Sequence, residues 1–130
     1  MAGRREDLSM THPLSSPRNL VLVDTGLISF AGHHAMYARS VGMGARMKGL
    51  NFQVMCSRLA NPALREDLPM HSVFPSAENT GVALGLPGLR AWPALRRFRM
   101  GLREMLSVFP SGPTVVFVDN TNHHELLHWA

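Results

Sequence analysis

Three consecutive residues, Gly32, His33 and His34, stand where an apolar strand pattern gives way to a helical one. A glycine at such a junction lets a ligand approach the backbone, and the N–H groups that begin a helix favour an anion. Histidine side chains can donate hydrogen bonds to phosphate or hydroxyl groups. The pattern therefore predicts a ligand-binding loop. The chain has no Gly-x-Gly-x-x-Gly or Walker lysine motif that would support phosphate binding here. The alternative is therefore a plain tight turn followed by a polar helix start.

A second candidate for chemistry is the string HELLH, which runs from His124 to His128 and has the H-E-x-x-H pattern of zinc hydrolases. Histidines four residues apart lie on one face of a helix, where they could bind zinc while Glu125 acts as general base for a bound water. A catalytic zinc needs a third protein ligand, and two residues follow His128. The alternative is a helix N-terminus whose residues are polar because of their position.

Two aspartates, Asp24 and Asp119, each follow a predicted strand. In an open parallel sheet the carboxyl ends of the strands form the ligand crevice, so both side chains are expected at its rim. The alternative is that the two aspartates only cap the backbone where their strands end. Asn120 and Asn122 come just after the second of these strands and are further candidates for contacts with a substrate.

The elements that must position these residues alternate between strand and helix patterns. Strands are predicted over 20–23, 52–57, 73–74 and 114–118, and helices over 33–48, 89–109 and 120–130. A strand, a helix and a second strand within about 40 residues imply a parallel pair with a right-handed crossover. We therefore predict an α/β fold, an open and mostly parallel Rossmann-like sheet with flanking helices. Residues 1–18 are expected to be a flexible leader and 19–130 a partial domain.

Apolar residues at helical spacing predict which helix faces are buried. In the helix over 33–48 they are Met36, Tyr37, Val41 and Met47. In the helix over 89–109 they form the stripe Trp92, Leu95, Phe98, Leu102, Met105, Leu106 and Phe109. The arginines from Arg90 to Arg103 lie largely off this stripe and are predicted to form a solvated face, although such a helix could also contact a membrane peripherally. No nucleic-acid partner is expected, because the aromatic residues do not alternate with the charges.

Composition limits the remaining possibilities. The chain has 130 residues, 45% of them hydrophobic, and a formal net charge of +4, which suits one globular domain with an anionic partner. Cys56 is its sole cysteine, so no internal disulfide forms, and its apolar surroundings predict a buried, inert thiol. No stretch of the ~18 consecutive apolar residues needed to cross a bilayer occurs. A cytoplasmic location is expected, either free or peripheral to the inner membrane.

Three passages together resemble the N-terminal domain of glycosyltransferases with two facing Rossmann-like domains, the GT-B architecture. The similarity is to the retaining group that includes glycogen synthases and bacterial mannosyltransferases. LVLVD at 20–24 with Gly32, His33, His34 and Tyr37 resembles its first strand, glycine loop and first helix. KGLNFQV at 48–54 is similar to the passage from that helix into the second strand. VVFVD at 115–119 with ELL at 125–127 resembles a later strand and helix.

The resemblance implies an acceptor-side domain, with Gly32, His33 and His34 lining the crevice and Asn120 and Asn122 contacting the acceptor. The implied partners are a nucleotide-sugar and a sugar or lipid acceptor, and no cofactor is expected. In this family the donor binds mainly to a C-terminal domain through two glutamates eight positions apart, and no glutamates of this chain have that spacing. The chain is therefore expected to be truncated and inactive alone.

Two other classes of function stay open on sequence grounds. One is a zinc-dependent hydrolase that uses His124 and His128 as ligands and Glu125 as base. The other is a noncatalytic α/β binding module.

Overall fold

The computed structural model of the protein describes residues 16–75 and 92–119. Within these ranges the strands are β1 (Asn19–Asp24), β2 (Asn51–Ser57), β3 (Met70–Phe74) and β4 (Thr114–Val118). The helices are α1 (His33–Met47), a short 3₁₀ helix (Pro62–Glu66) and α2 (Trp92–Ser107). The helix predicted over 120–130 and most of the predicted leader lie outside the described residues.

The four described strands form one parallel sheet in the order β3-β2-β1-β4. Leu22 in the middle of β1 lies opposite Val54 of β2 on one side and Phe117 of β4 on the other. The chain moves outward from β1 to β2 and β3 and then returns to the other side of β1. This confirms the predicted open, parallel, Rossmann-like α/β fold and makes the boundary between β1 and β4 the point where the strand order reverses.

The apolar run of β1 is buried on both faces of the sheet, as is typical of a central parallel strand. Leu22 belongs to a core cluster that includes α1, whereas Val21 and Val23 belong to a cluster that includes α2. Successive residues of a strand point to opposite faces, so α1 and α2 cover opposite sides of the sheet. The sequence pattern predicted both the strand and its burial.

Helix α1 packs on the sheet through its small residues, not through the larger ones that the sequence analysis predicted. Its buried residues are Ala35, Ala38, Gly42 and Ala45. Val41 packs against the core, but Met36 and Met47 are 68% and 81% exposed. A Cβ atom at Gly42 would lie 2.7 Å from the Phe52 ring. The large side chain therefore comes from β2, and the helix contributes the space for it.

Helix α2 buries Phe98, Leu102 and Met105, in agreement with the predicted stripe. The prediction was wrong for Trp92 and Leu106, which are 63% and 66% exposed. Gly101 is buried on the same side, and at 100° per residue Trp92 and Leu106 lie about 130° and 90° around the helix from the centre of this four-residue face. The stripe predicted from hydrophobicity alone is therefore wider than the face of α2 that contacts the sheet.

Three smaller expectations concern β3, Cys56 and membrane crossing. The short strand predicted over 73–74 is longer, because β3 begins at Met70 directly after Pro69. Cys56 is fully buried, which confirms the predicted burial. Burial raises the pKa of its thiol to about 11, and this favours the predicted inert thiol. No helix in residues 16–75 and 92–119 has the length and apolar character needed to cross a membrane.

Candidate functional site

Three ionisable side chains meet where β1 and β4 end side by side. Asp24 is the last residue of β1, Asp119 directly follows β4, and His34 lies in the first turn of α1. The Asp119 N–H donates to the Val23 carbonyl over 3.0 Å, which ties the two strand ends together. Open α/β sheets bind their ligands at the carboxyl ends of the strands where the strand order reverses, and this cluster lies at that point.

Asp24 is the buried member of the cluster, with 1% of its surface exposed. Its Oδ1 accepts the Gly26 N–H at 3.0 Å, and its two carboxylate oxygens lie 2.9 and 3.0 Å from Nδ1 of His34. Burial is the largest cause that raises the pKa of Asp24, and the charge of Asp119 raises it further, whereas the hydrogen bonds from His34 and Gly26 oppose this. The protein therefore holds a carboxylate where ionisation is costly, which is frequent at functional sites.

His34 is oriented by this carboxylate. A carboxylate is an acceptor, so the hydrogen-bond pattern assigns a ring proton to Nδ1, and in the neutral form of the ring Nε2 is then the acceptor. Nδ1 also lies 3.6 Å from Oδ2 of Asp119. The His33 ring is stacked at a tilt against His34, with 4.1 Å between the centroids. The arrangement fixes the ring so that Nε2 can accept a hydrogen bond from a hydroxyl group.

Gly26 makes room for the His34 ring. A Cβ atom at Gly26 would lie 2.5 Å from Cε1 and 2.8 Å from Nε2 of His34. The same residue donates the N–H that holds Asp24, which is the i to i+2 bond of an Asx turn. Gly26 therefore positions both members of the Asp24–His34 pair.

Gly32 precedes α1 with a φ of 90°, a conformation that favours glycine. A Cβ atom there would have no neighbour within 4 Å, so the space beside it is open. In the described part of the chain no side chain caps α1, and its first turn contains no acidic residue. The first N–H groups of α1 are thus available to an anion, as at other helix N-termini that bind phosphate.

The cluster of Asp24, His34 and Asp119 could also hold a divalent cation, because each side chain offers one ligand atom and these atoms lie within 4.8 Å of one another. However, Nδ1 of His34 is already hydrogen-bonded to Asp24. A cation bound between Nδ1 and the two carboxylates would have to replace the Nδ1 proton. The geometry therefore fits a proton-sharing cluster more closely than a metal centre.

The structure brings together part of what the sequence predicted. Gly32, His33 and His34 lie at the rim with Asp24 and Asp119. The remaining predicted site residues lie outside the described residues, namely Asn120, Asn122, His124, Glu125 and His128.

The role of Gly26 and the link between His34 and the two aspartates were not predicted from the sequence. The D-T-G string that ends β1 signals an Asx turn but not its contact with α1. Comparisons of the chain with protein-family models, with curated proteins and with solved structures found no match.

Proposed function

We propose that this chain is the acceptor-side domain of a GT-B glycosyltransferase, which transfers a sugar from a nucleotide-sugar donor to a sugar or lipid acceptor. The observation that carries the proposal is the Asp24–His34 pair beside the open Gly32 turn, at the boundary of β1 and β4. This boundary is the ligand position of open α/β sheets. Its groups suit a ligand that has both hydroxyl groups and phosphate.

The charges favour a division of the site into two parts. The carboxylates of Asp24 and Asp119 would repel a phosphate placed beside them, whereas they and His34 suit hydroxyl groups. A phosphate is favoured at the uncapped N-terminus of α1, next to Gly32. A nucleotide-sugar with a neighbouring acceptor hydroxyl satisfies both parts, and a simple anion satisfies one.

Transfer itself is expected to need a second domain. Sugar transfer is fast when both substrates are held in the reactive geometry and water is excluded, which two facing domains provide. The glutamate spacing that holds the donor in the resembling family is missing from this sequence. A cytoplasmic location fits a chain whose single cysteine is a buried thiol.

Amide chemical shifts of the nitrogen-15 labelled chain test this proposal. Titration with UDP-glucose and GDP-mannose is expected to shift the amides of Gly26, Gly32 and His34, with a dissociation constant of about 1 mM because one domain supplies part of the contacts. His34→Gln should weaken binding about three- to tenfold, the usual value of one hydrogen bond. His71→Gln, a matched change on β3, should leave binding unchanged.

The chain alone is also expected to release no nucleoside diphosphate from either compound. Turnover by the isolated chain that is lost in His34→Gln would contradict the domain assignment. Shifts confined to residues away from the β1 and β4 ends would contradict the site.

A further inference from the structure

We propose that the outer face of α2 binds the surface of an anionic lipid bilayer. This inference stands without the proposed transferase activity. The basic face of α2 is defined by six exposed residues, Trp92, Arg96, Arg99, Met100, Arg103 and Leu106. At 100° per residue they fall within an arc of about 120°, and the centre of this arc lies about 150° around the helix from the centre of the side that packs on the sheet.

The charge of this face is uniformly positive. Arg96, Arg99 and Arg103 follow one another at spacings of three and four residues, and within the described residues none of them has an ion-pair partner. Glu104, at the border of the face, is paired with Arg58 of the loop after β2. Each arginine near an anionic leaflet strengthens binding about fivefold, so the three together strengthen it about 150-fold.

The apolar residues of the same face favour a lipid surface over other anionic partners. Trp92, Met100 and Leu106 are 63%, 55% and 66% exposed, at both ends and near the middle of the helix. Tryptophan and aliphatic side chains are stabilised at the boundary between headgroups and acyl chains, next to arginines that reach the phosphates. A single-stranded nucleic acid would instead need several aromatic platforms among the charges, and this face offers Trp92 alone.

The helix does not have to leave the fold to bind. Phe98, Leu102 and Met105 attach its other side to β3 and the rest of the sheet, and the Phe98 ring stacks on Phe74 at 5.4 Å between centroids. The face is thus presented by a helix that is already formed. No folding of the segment is required at the moment of binding, which reduces the entropic cost.

Co-sedimentation with vesicles tests the proposal. The chain should bind vesicles of phosphatidylcholine that contain about one-third phosphatidylglycerol, and it should bind pure phosphatidylcholine at least tenfold more weakly. Arg96→Gln combined with Arg103→Gln should weaken binding about 30-fold, because about 2 kcal/mol is lost. The matched control, Arg46→Gln with Lys48→Gln at the C-terminal end of α1, also removes two charges from the net +4 and should change binding less than threefold.

Trp92 provides a second readout. In a Trp129→Phe background its fluorescence should shift to shorter wavelength when anionic vesicles are added, because the indole enters the interface. Equal losses in the two double variants would overturn the proposal, since net charge alone would then explain binding. Unchanged binding of the Arg96 and Arg103 variant would also overturn it, as would binding to single-stranded oligonucleotides without binding to vesicles.

Discussion

Replacing Gly101 with alanine is expected to lower the free energy of unfolding by about 2–3 kcal/mol, although alanine favours helices by about 1 kcal/mol over glycine. The added Cβ would lie 3.0 Å from Cε1 of Phe74 and 3.1 Å from its Cα, with the ring Cδ1 closer still. The Phe74 ring could rotate away from the added methyl group, but the Phe74 Cα is held in strand β3 and could not. The methyl group would therefore have to push α2 off the sheet.

Gly44→Ala is the matched control for this prediction. Gly44 lies inside α1, and a Cβ atom there would meet nothing within 4 Å. The substitution should raise the free energy of unfolding by about 1 kcal/mol through helix propensity alone. Urea unfolding followed by far-UV circular dichroism measures both variants. If both changes stabilised the chain, α2 could not be packed against Phe74 as described.

The strands were largely predictable from sequence because each is read locally. β1 is an apolar run between Asn19 and Asp24, and a central parallel strand needs no alternation. The predicted β4 and observed β4 have the same bounds, since its β-branched residues lie between a Pro-Gly breaker and Asp119. β3 was predicted too short because its first residues include the polar His71 and Ser72.

The helix faces were less predictable, because packing on a sheet depends on shape as well as on hydrophobicity. In α1 the buried positions are 35, 38, 42 and 45, a helical spacing of small residues that an analysis of large apolar residues passes over. The sheet supplies Phe52 and Leu22 to fill the contact. A helix that brings only small residues can lie close to the sheet, which leaves its methionines exposed.

The sequence predicted which residues lie at the β1 junction, but it did not predict their contacts. Gly32, His33 and His34 follow from one strand-to-helix junction, which is a local pattern. The contact of His34 with Asp119 spans the chain and exists because β4 returns beside β1. Strand order is a property of long-range packing that the residues at one junction do not specify.

Replacing Asp24 with asparagine is expected to stabilise the fold by about 1 kcal/mol at neutral pH. Burial and the nearby charge of Asp119 both disfavour the ionised carboxylate. Asparagine has almost the same shape, carries no charge, and its Oδ1 can still accept the Gly26 N–H. A stabilising effect of this substitution would indicate that the carboxylate has a role in the site rather than in the fold.

The pH dependence follows from the direction of the shift. The pKa of Asp24 is raised above its ordinary value of 3.8, so the folded state binds its proton more tightly than the unfolded state does. The cost of ionisation is therefore absent below pH 3.8 and develops as the pH rises through the raised pKa. The stability advantage of Asp24→Asn should be small near pH 4 and larger near pH 7. Urea unfolding at both pH values measures it.

The same substitution should reverse the proton on His34. With Oδ1 held by Gly26, the asparagine amide places an Nδ2–H group where Oδ2 lies 3.0 Å from Nδ1, so an Nδ1–H there would face another donor. Although Oδ1 also lies 2.9 Å from Nδ1, we therefore expect Nδ1 to become an acceptor and the proton to move to Nε2. Nitrogen-15 shifts of the ring report the tautomer directly, and nucleotide-sugar binding should weaken at least as much as in His34→Gln.

Asp67→Asn, on the exposed carboxylate paired with Arg39, is the control, and it should change stability by less than about 0.5 kcal/mol and leave the His34 tautomer unchanged. A large loss of stability in Asp24→Asn would instead make the carboxylate a structural anchor. The assignment of the β1 and β4 rim as a binding site would then lose its main support, because hydrogen bonds within the fold would more than offset the cost of burying that charge.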